Sequence, residues 1–221
     1  MLNVSKGNMY PWVTHTWNPI KGKCSHDCVY CYMKGFPQKP VRLEEKEFKT
    51  DLGKDNFIFV GSSTDDFAGD IPQEWINRTF EYCKKSDNKF LFQTKNPERF
   101  DGLILPDKSV IACTIETNRN YDVSKAPSVK ERYYWMGSFS DYLERMISIE
   151  PIMDFDLDIF TEWIALLKPD FVSIGADSKR HYLPEPGPDK LEKFIKELRQ
   201  FTKVIIKDNL KRLRQEIPEA K

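Results

Sequence analysis

Seven short, β-rich apolar runs punctuate this chain, at residues 13–17, 57–60, 90–93, 110–115, 146–149, 171–174 and 204–206. Most are continuous rather than alternating, the pattern of parallel strands buried on both faces. Helical stripes fall between several of them. Trp75, Thr79, Phe80 and Cys83 share a face in 72–85, and Ile159, Trp163, Leu166 and Leu167 do so in 158–168. In 189–200, Leu191, Phe194, Ile195 and Leu198 follow one stripe, and Asp189 with Glu192 fits a capping box. Strand–helix alternation with right-handed crossovers implies an α/β fold, here a partial (β/α)6-type TIM-like barrel with a short extra C-terminal strand and helix. The expected organisation is one domain, 1–221, with its core at about 12–210. Residues 121–140 show neither period and read as loop plus one helix.

A chain of 221 residues supports one sizeable core, and 40% apolar with 31% charged residues is a globular balance. No apolar run approaches the ~20 residues that span a bilayer. The opening MLNVSKGNMYPW has no continuous apolar stretch of signal-peptide type, so a cytoplasmic protein is expected. The 34 basic and 34 acidic residues cancel, which excludes a global field driving the chain onto nucleic acid. The distribution is less even. Residues 1–42 carry six basic residues against Asp27, and residues 193–214 carry eight against Glu197 and Asp208. Either the two ends build one positive face or they are solvated surfaces.

Three of five cysteines lie within eight residues, in Lys-Cys24-Ser-His-Asp-Cys28-Val-Tyr-Cys31-Tyr. Such clustering in a cytoplasmic protein points to metal binding rather than to a disulfide framework. Three thiolates can close around three corners of an iron–sulfide cube. Fully coordinated [4Fe–4S] clusters use four cysteines, so three leave one iron open to a non-protein ligand. The other reading is zinc, with His26 or His15 as fourth ligand, in a non-catalytic zinc- or nucleic-acid-binding module. Cys83 and Cys113, on an expected helix and strand, read as small buried hydrophobes.

The spacing Cys24-x3-Cys28-x2-Cys31, with the aromatic Tyr30 before the last cysteine and the loop following the first strand, resembles the radical S-adenosylmethionine superfamily. The resemblance implies a barrel of that superfamily's kind and a [4Fe–4S] cluster whose open iron is chelated by the amino and carboxylate groups of S-adenosylmethionine. It also implies a reducing partner of flavodoxin or ferredoxin type. Reductive cleavage would then give a 5′-deoxyadenosyl radical that abstracts hydrogen from a substrate left open. The ordered series Trp17-Asn18-Pro19, Gly61-Ser62, Thr94-Lys95, Glu116, Glu150-Pro151 and Lys207 is similar to a radical-S-adenosylmethionine-like group found in phages and bacterial mobile elements.

Ligands of α/β folds collect at the carboxyl ends of the strands. The second strand ends in Gly61-Ser62-Ser63-Thr64-Asp65. Related enzymes carry there a Gly-Gly-Glu type segment that receives the cofactor's amino group. Here backbone and hydroxyl oxygens, with Asp65, would take that role. At the third strand's end stand Thr94 and Lys95, the lysine either neutralising a carboxylate or facing solvent. By the resemblance, Glu116 and Asn118 would hold ribose hydroxyls or the methionine portion, with Glu150 in the same set and Gly175 allowing close approach of adenine. Lys207 faces substrate or solvent, and with Lys95 it is the candidate for a catalytic role. Asp154, Asp156 and Asp158 read as helix-dipole partners rather than metal ligands. Tyr133-Tyr134-Trp135 either stacks on a base or belongs to a lid or core. The basic ends and this trio tilt the substrate toward a nucleotide or nucleic acid over a peptide.

Overall fold

The computed structural model describes residues 1–139 and 143–214. The last residue of the 121–140 stretch and the tail of the expected domain, 215–221, lie outside the described residues.

The main sheet has eight strands: β1 (Asn3–Val4), β2 (His15–Trp17), β5 (Phe57–Val60), β6 (Lys89–Thr94), β7 (Ser109–Thr114), β8 (Glu144–Ile149), β9 (Phe171–Ile174) and β10 (Lys203–Ile206). They lie side by side in that order. From β2 to β10 every neighbouring pair is parallel; only β1 runs antiparallel, against β2. A separate antiparallel pair, β3 (Ile20–Lys21) with β4 (Arg42–Leu43), brackets the cysteine segment. Four α-helices fill the crossovers: α1 (Gln73–Cys83) before β6, α2 (Val129–Ser138) before β8, α3 (Leu157–Leu167) before β9 and α4 (Pro188–Leu198) before β10. The β6–β7 crossover carries only a 3-10 turn, Pro97–Phe100, and the segment after β10 is a 3-10 turn, Asp208–Leu213, rather than an α-helix. No helix among the described residues is long and apolar enough to cross a membrane.

The two-residue alternation of the strands divides the interior. Phe90, Phe92, Ile111, Cys113, Ile147 and Ile149 face the helices, where Ile76, Phe80, Ile164, Phe194 and Leu198 meet them in the larger core. Leu91, Val110, Ala112 and Met146 occupy the intervening positions and face the other way. There they are covered by the N-terminal segment through Tyr10, Trp12 and Val13, not by a helix. Tyr10 stacks on Trp12 with centroids 4.8 Å apart, and Trp12 meets Phe171 edge-on. Apolar residues on both faces explain why these strands read as continuous runs.

The capping box departs from the sequence reading. Helix α4 begins at Pro188 with Gly187 at its N-cap, so Asp189 and Glu192 form no capping box; Glu192 instead accepts from Arg214. The capping box lies in the stretch without legible period, where Ser128 and Glu131 close α2 reciprocally. Tyr133 stacks on Trp163 of α3 at 4.5 Å and so packs helix against helix, whereas Tyr134 is exposed. Asp154 and Asp156 form ion pairs with Arg119, and Asp154 also pairs with Lys190.

Helices α3 and α4 are joined by Phe155, Phe160 and Phe194, mutually within 5.4 Å and fully buried. Phe160→Ala empties the centre of this cluster and is expected to cost about 3–5 kcal/mol, read as a lowered midpoint in denaturant unfolding with an unchanged slope.

Candidate functional site

At the carboxyl ends of the strands, the face that was apolar lower down turns polar. Leu91 is followed on it by Gln93, Ala112 by Thr114, and Met146 by Ser148 and Glu150. These residues floor a cavity of about 510 Å³, whose wall is the cysteine segment. Tyr10 reaches up from the N-terminal segment, its hydroxyl 2.8 Å from both Gln93 Oε1 and Ser148 Oγ, and Gln93 Nε2 donates to Thr114 Oγ1. Burial pushes the Tyr10 phenol well above its usual range, with the Glu150 charge adding to the effect, so the hydroxyl stays protonated.

Cys24, Cys28 and Cys31 all line this cavity. Their segment has little regular structure beyond the 3-10 turn Tyr32–Gly35, and its shape is set by outside contacts. The Val29 amide donates to the Val123 carbonyl and the Lys125 amide to the His26 carbonyl. Buried His26 places Nε2 3.0 Å from Asp65 Oδ2. That same oxygen accepts from Thr94 Oγ1 (3.0 Å) and the Lys95 amide (2.8 Å), while Asp65 Oδ1 accepts from the Phe67 amide. Burial alone would raise the Asp65 pKa, but His26 and these donors outweigh it and hold the carboxylate below its ordinary range.

A second carboxylate, this one fully buried, lies behind the segment. Glu116 accepts from the Tyr30 hydroxyl, meets Arg132 Nη1 at 2.7 Å and stands 3.8 Å from Lys95 Nζ. Desolvation opposes its charge, yet Arg132, Lys95 and Tyr30 prevail and keep it ionised. Lys95 remains protonated because the Cys28 and Glu116 side chains outweigh its burial. Burial drives two of the thiols up, Cys24 to about 11 with Asp65 contributing, and Cys28 likewise upward.

Twelve of the sequence-derived site residues line the cavity: the three cysteines, Tyr30, Gly61, Ser62, Ser63, Asp65, Thr94, Lys95, Glu150 and Lys207. Three stand outside its lining. Glu116 lies one layer behind Tyr30. Asn118 exchanges hydrogen bonds with Asp156 at the start of α3. Gly175 makes room for protein rather than ligand, since a Cβ there would come 2.7 Å from the Glu150 carboxylate. Gly61 has φ +77°, and a Cβ would lie 2.5 Å from the Asp66 carboxyl carbon. Ser62 and Ser63 both donate their hydroxyls to Asn18 Oδ1, which leaves their oxygen lone pairs available. The Lys207 ammonium is committed to the Asn8 carbonyl (2.5 Å), Glu150 Oε2 (2.8 Å) and the Tyr10 ring. His15 lies on β2 against Thr14 and is not part of the cavity lining.

Asn8 and Tyr10 carry no sequence signal of a site, Asn18 stands out only in the family-like series, and His26 only as a zinc ligand. Tyr10 and Asn8 precede the first legible strand, and no local pattern shows that a segment without regular structure will floor a cavity.

The donor set suits an iron–sulfur cube. Three thiols share the cavity, while Cys83 and Cys113 are buried in the core on the helix-facing side, so the cavity presents three thiols and oxygen or nitrogen groups. Among the described residues, no three His, Cys, Asp or Glu side chains converge to hold a single metal ion.

No family model and no curated protein sequence matches the chain. Solved structures do. A spore photoproduct lyase double mutant with bound AdoMet and dinucleoside spore photoproduct superposes with a TM-score of 0.63 at 14% identity, over 90% of this chain and 78% of that one. A single mutant of the same lyase with the dinucleoside alone gives 0.64 at 12% identity, over 92% and 80%. The fold is that of spore photoproduct lyase. At these identities the likeness speaks for architecture, and it extends over nearly the whole described chain.

Glu116→Ala leaves buried Arg132 and half-buried Lys95 without their carboxylate and is expected to cost about 3–5 kcal/mol at neutral pH. Because the folded pKa of Glu116 is depressed, its contribution is complete above the ordinary value of 4.5 and fades as pH falls from there. The stability gap between wild type and variant should therefore narrow in denaturant titrations below pH 4.5.

Proposed function

We propose that this protein is a radical S-adenosylmethionine enzyme acting on a nucleotide or nucleic acid. The observation that carries the reading is the convergence of Cys24, Cys28 and Cys31 on one cavity at the carboxyl ends of the parallel strands, with no fourth thiol there. The superposition on a lyase solved with AdoMet and a dinucleoside supports both the cofactor and the substrate class. Seven parallel strands in strict sequence order support the partial barrel of that superfamily. The likeness to the phage and mobile-element group brings no activity with it.

The three cysteines would hold three corners of a [4Fe–4S] cluster, which when bound supplies the electron that cleaves the S-adenosylmethionine sulfonium. The remaining work falls to the chain. Gly61 lets the backbone turn at the end of β5, and the free lone pairs of Ser62 and Ser63 receive an ammonium group. Lys95, charged and with donors to spare, neutralises a carboxylate or the thiolates beside it. Lys207 acts as a positioning residue, since its ammonium already binds Asn8 and Glu150. Asp65 and Glu116 fix the cysteine segment from two sides and are likewise positioning residues. The Tyr10–Gln93–Ser148 floor orients a polar substrate edge. The electron would arrive from a flavodoxin- or ferredoxin-type donor.

Anaerobic reconstitution with iron and sulfide should give a brown protein that releases 5′-deoxyadenosine from S-adenosylmethionine under reduction, quantified by chromatography. Replacing any of the three cysteines by alanine should abolish both colour and product. A colourless wild-type protein holding one zinc would instead establish the binding-module reading.

A further inference from the structure

Segment 177–182 stands at the cavity mouth, between the end of β9 and α4, and the cofactor chemistry leaves it unused. Arg180 and Tyr182 both adopt φ of 56°, the left-handed region that bulky residues enter only when their surroundings force them. Around Arg180 the forcing contacts are visible. Asp177, buried at the strand end, accepts from the Lys179 amide (3.1 Å), the His181 amide and His181 Nδ1 (2.6 Å). Arg212, from the turn after β10, donates to the Asp177 carbonyl at 2.8 Å and pairs with Glu185. Lys179 Nζ donates to the Tyr32 carbonyl at 3.2 Å, which pins the segment to the turn that follows Cys31.

This bracing sorts the side chains. Lys179 and His181 point toward the cavity and line it, whereas Arg180 is exposed and Tyr182 is 94% exposed. A lone exposed aromatic is ordinary. An aromatic held out by a strained, three-point-anchored loop, two residues from a guanidinium and beside a cavity mouth, is not. A π-face for stacking next to a cation for phosphate is the pairing that single-stranded nucleic acids require.

We propose that segment 177–182 is the strand-binding element of this protein, with Tyr182 stacking on the base next to the nucleotide in the cavity and Arg180 contacting backbone phosphate. The proposal rests on the nucleic-acid reading above and sharpens it from an isolated nucleotide to a single strand running across the mouth.

The test is fluorescence anisotropy of a fluorescein-labelled oligo(dT) with the anaerobically reconstituted full chain, over a range of salt concentrations. Tyr182→Gly suits the left-handed backbone, so its thermal midpoint should not fall below wild type, yet its Kd should rise about tenfold. Tyr182→Phe, which keeps the ring, should bind as wild type does. Arg180→Gln should lower the slope of log affinity against log salt by about 0.7, the contribution of one phosphate contact on a single strand. If the wild type binds and Tyr182→Gly and Arg180→Gln match it in affinity and slope, the strand-binding role of this loop is overturned while the nucleic-acid reading stands. If the wild type does not bind the oligonucleotide, the strand-binding role falls together with the nucleic-acid half of that reading, leaving an isolated nucleotide and the cofactor chemistry to their own assays.

Discussion

A single carboxylate, Asp65, ties together the parts of the cavity that have no regular structure of their own. It meets His26 from the cysteine segment and accepts from Thr94 and Lys95 at the end of β6 and from Phe67 just beyond. Its side chain is largely withdrawn from water, 12% exposed, so each of those contacts counts. Glu116 repeats the device on the other side, gripping Tyr30 between Cys28 and Cys31. Two acids thus do for the cysteine segment what a helix or strand would do elsewhere: they set where its thiols stand.

The sheet makes that arrangement possible by changing character along its length. On the face away from the helices, Leu91, Ala112 and Met146 give way two residues later to Gln93, Thr114 and Ser148. Because side chains alternate strictly, the same rows that pack the N-terminal segment also floor the cavity. The polar edge therefore inherits the rigidity of the apolar part below it. The phenol of Tyr10 marks the boundary, with its ring in the apolar cluster and its hydroxyl among Gln93 and Ser148.

Much of this was legible in the sequence, for identifiable reasons. Continuous runs such as 110–115 announced buried strands, and the positions that follow them, Gly61 to Asp65, Thr94, Lys95 and Glu150, reached the cavity because strand ends must lie where ligands collect. The cysteine spacing located the wall directly. The misreadings share a cause: sequence position says little about which partner a polar side chain will find. Glu192 looked like a cap for its own helix and pairs with Arg214 instead, while the real capping box hid in residues 121–140, where the buried Arg132 interrupts the apolar stripe. Asn118 lies close to Glu116 in sequence but turns to Asp156. Gly175 serves its neighbour Glu150, and Tyr10 could not be seen because it precedes the first legible strand.

One bond has a bearing on how such a molecule comes into being. The Lys207 ammonium grips the Asn8 carbonyl across 199 positions of chain, alongside Glu150 and the ring of Tyr10. Synthesis proceeds from the amino end, and early segments begin to fold as they emerge. The floor strip carrying Asn8 and Tyr10 leaves the ribosome well before Lys207, the residue that clamps it. The cavity floor is therefore completed only after β10 has joined the sheet and brought Lys207 to Asn8.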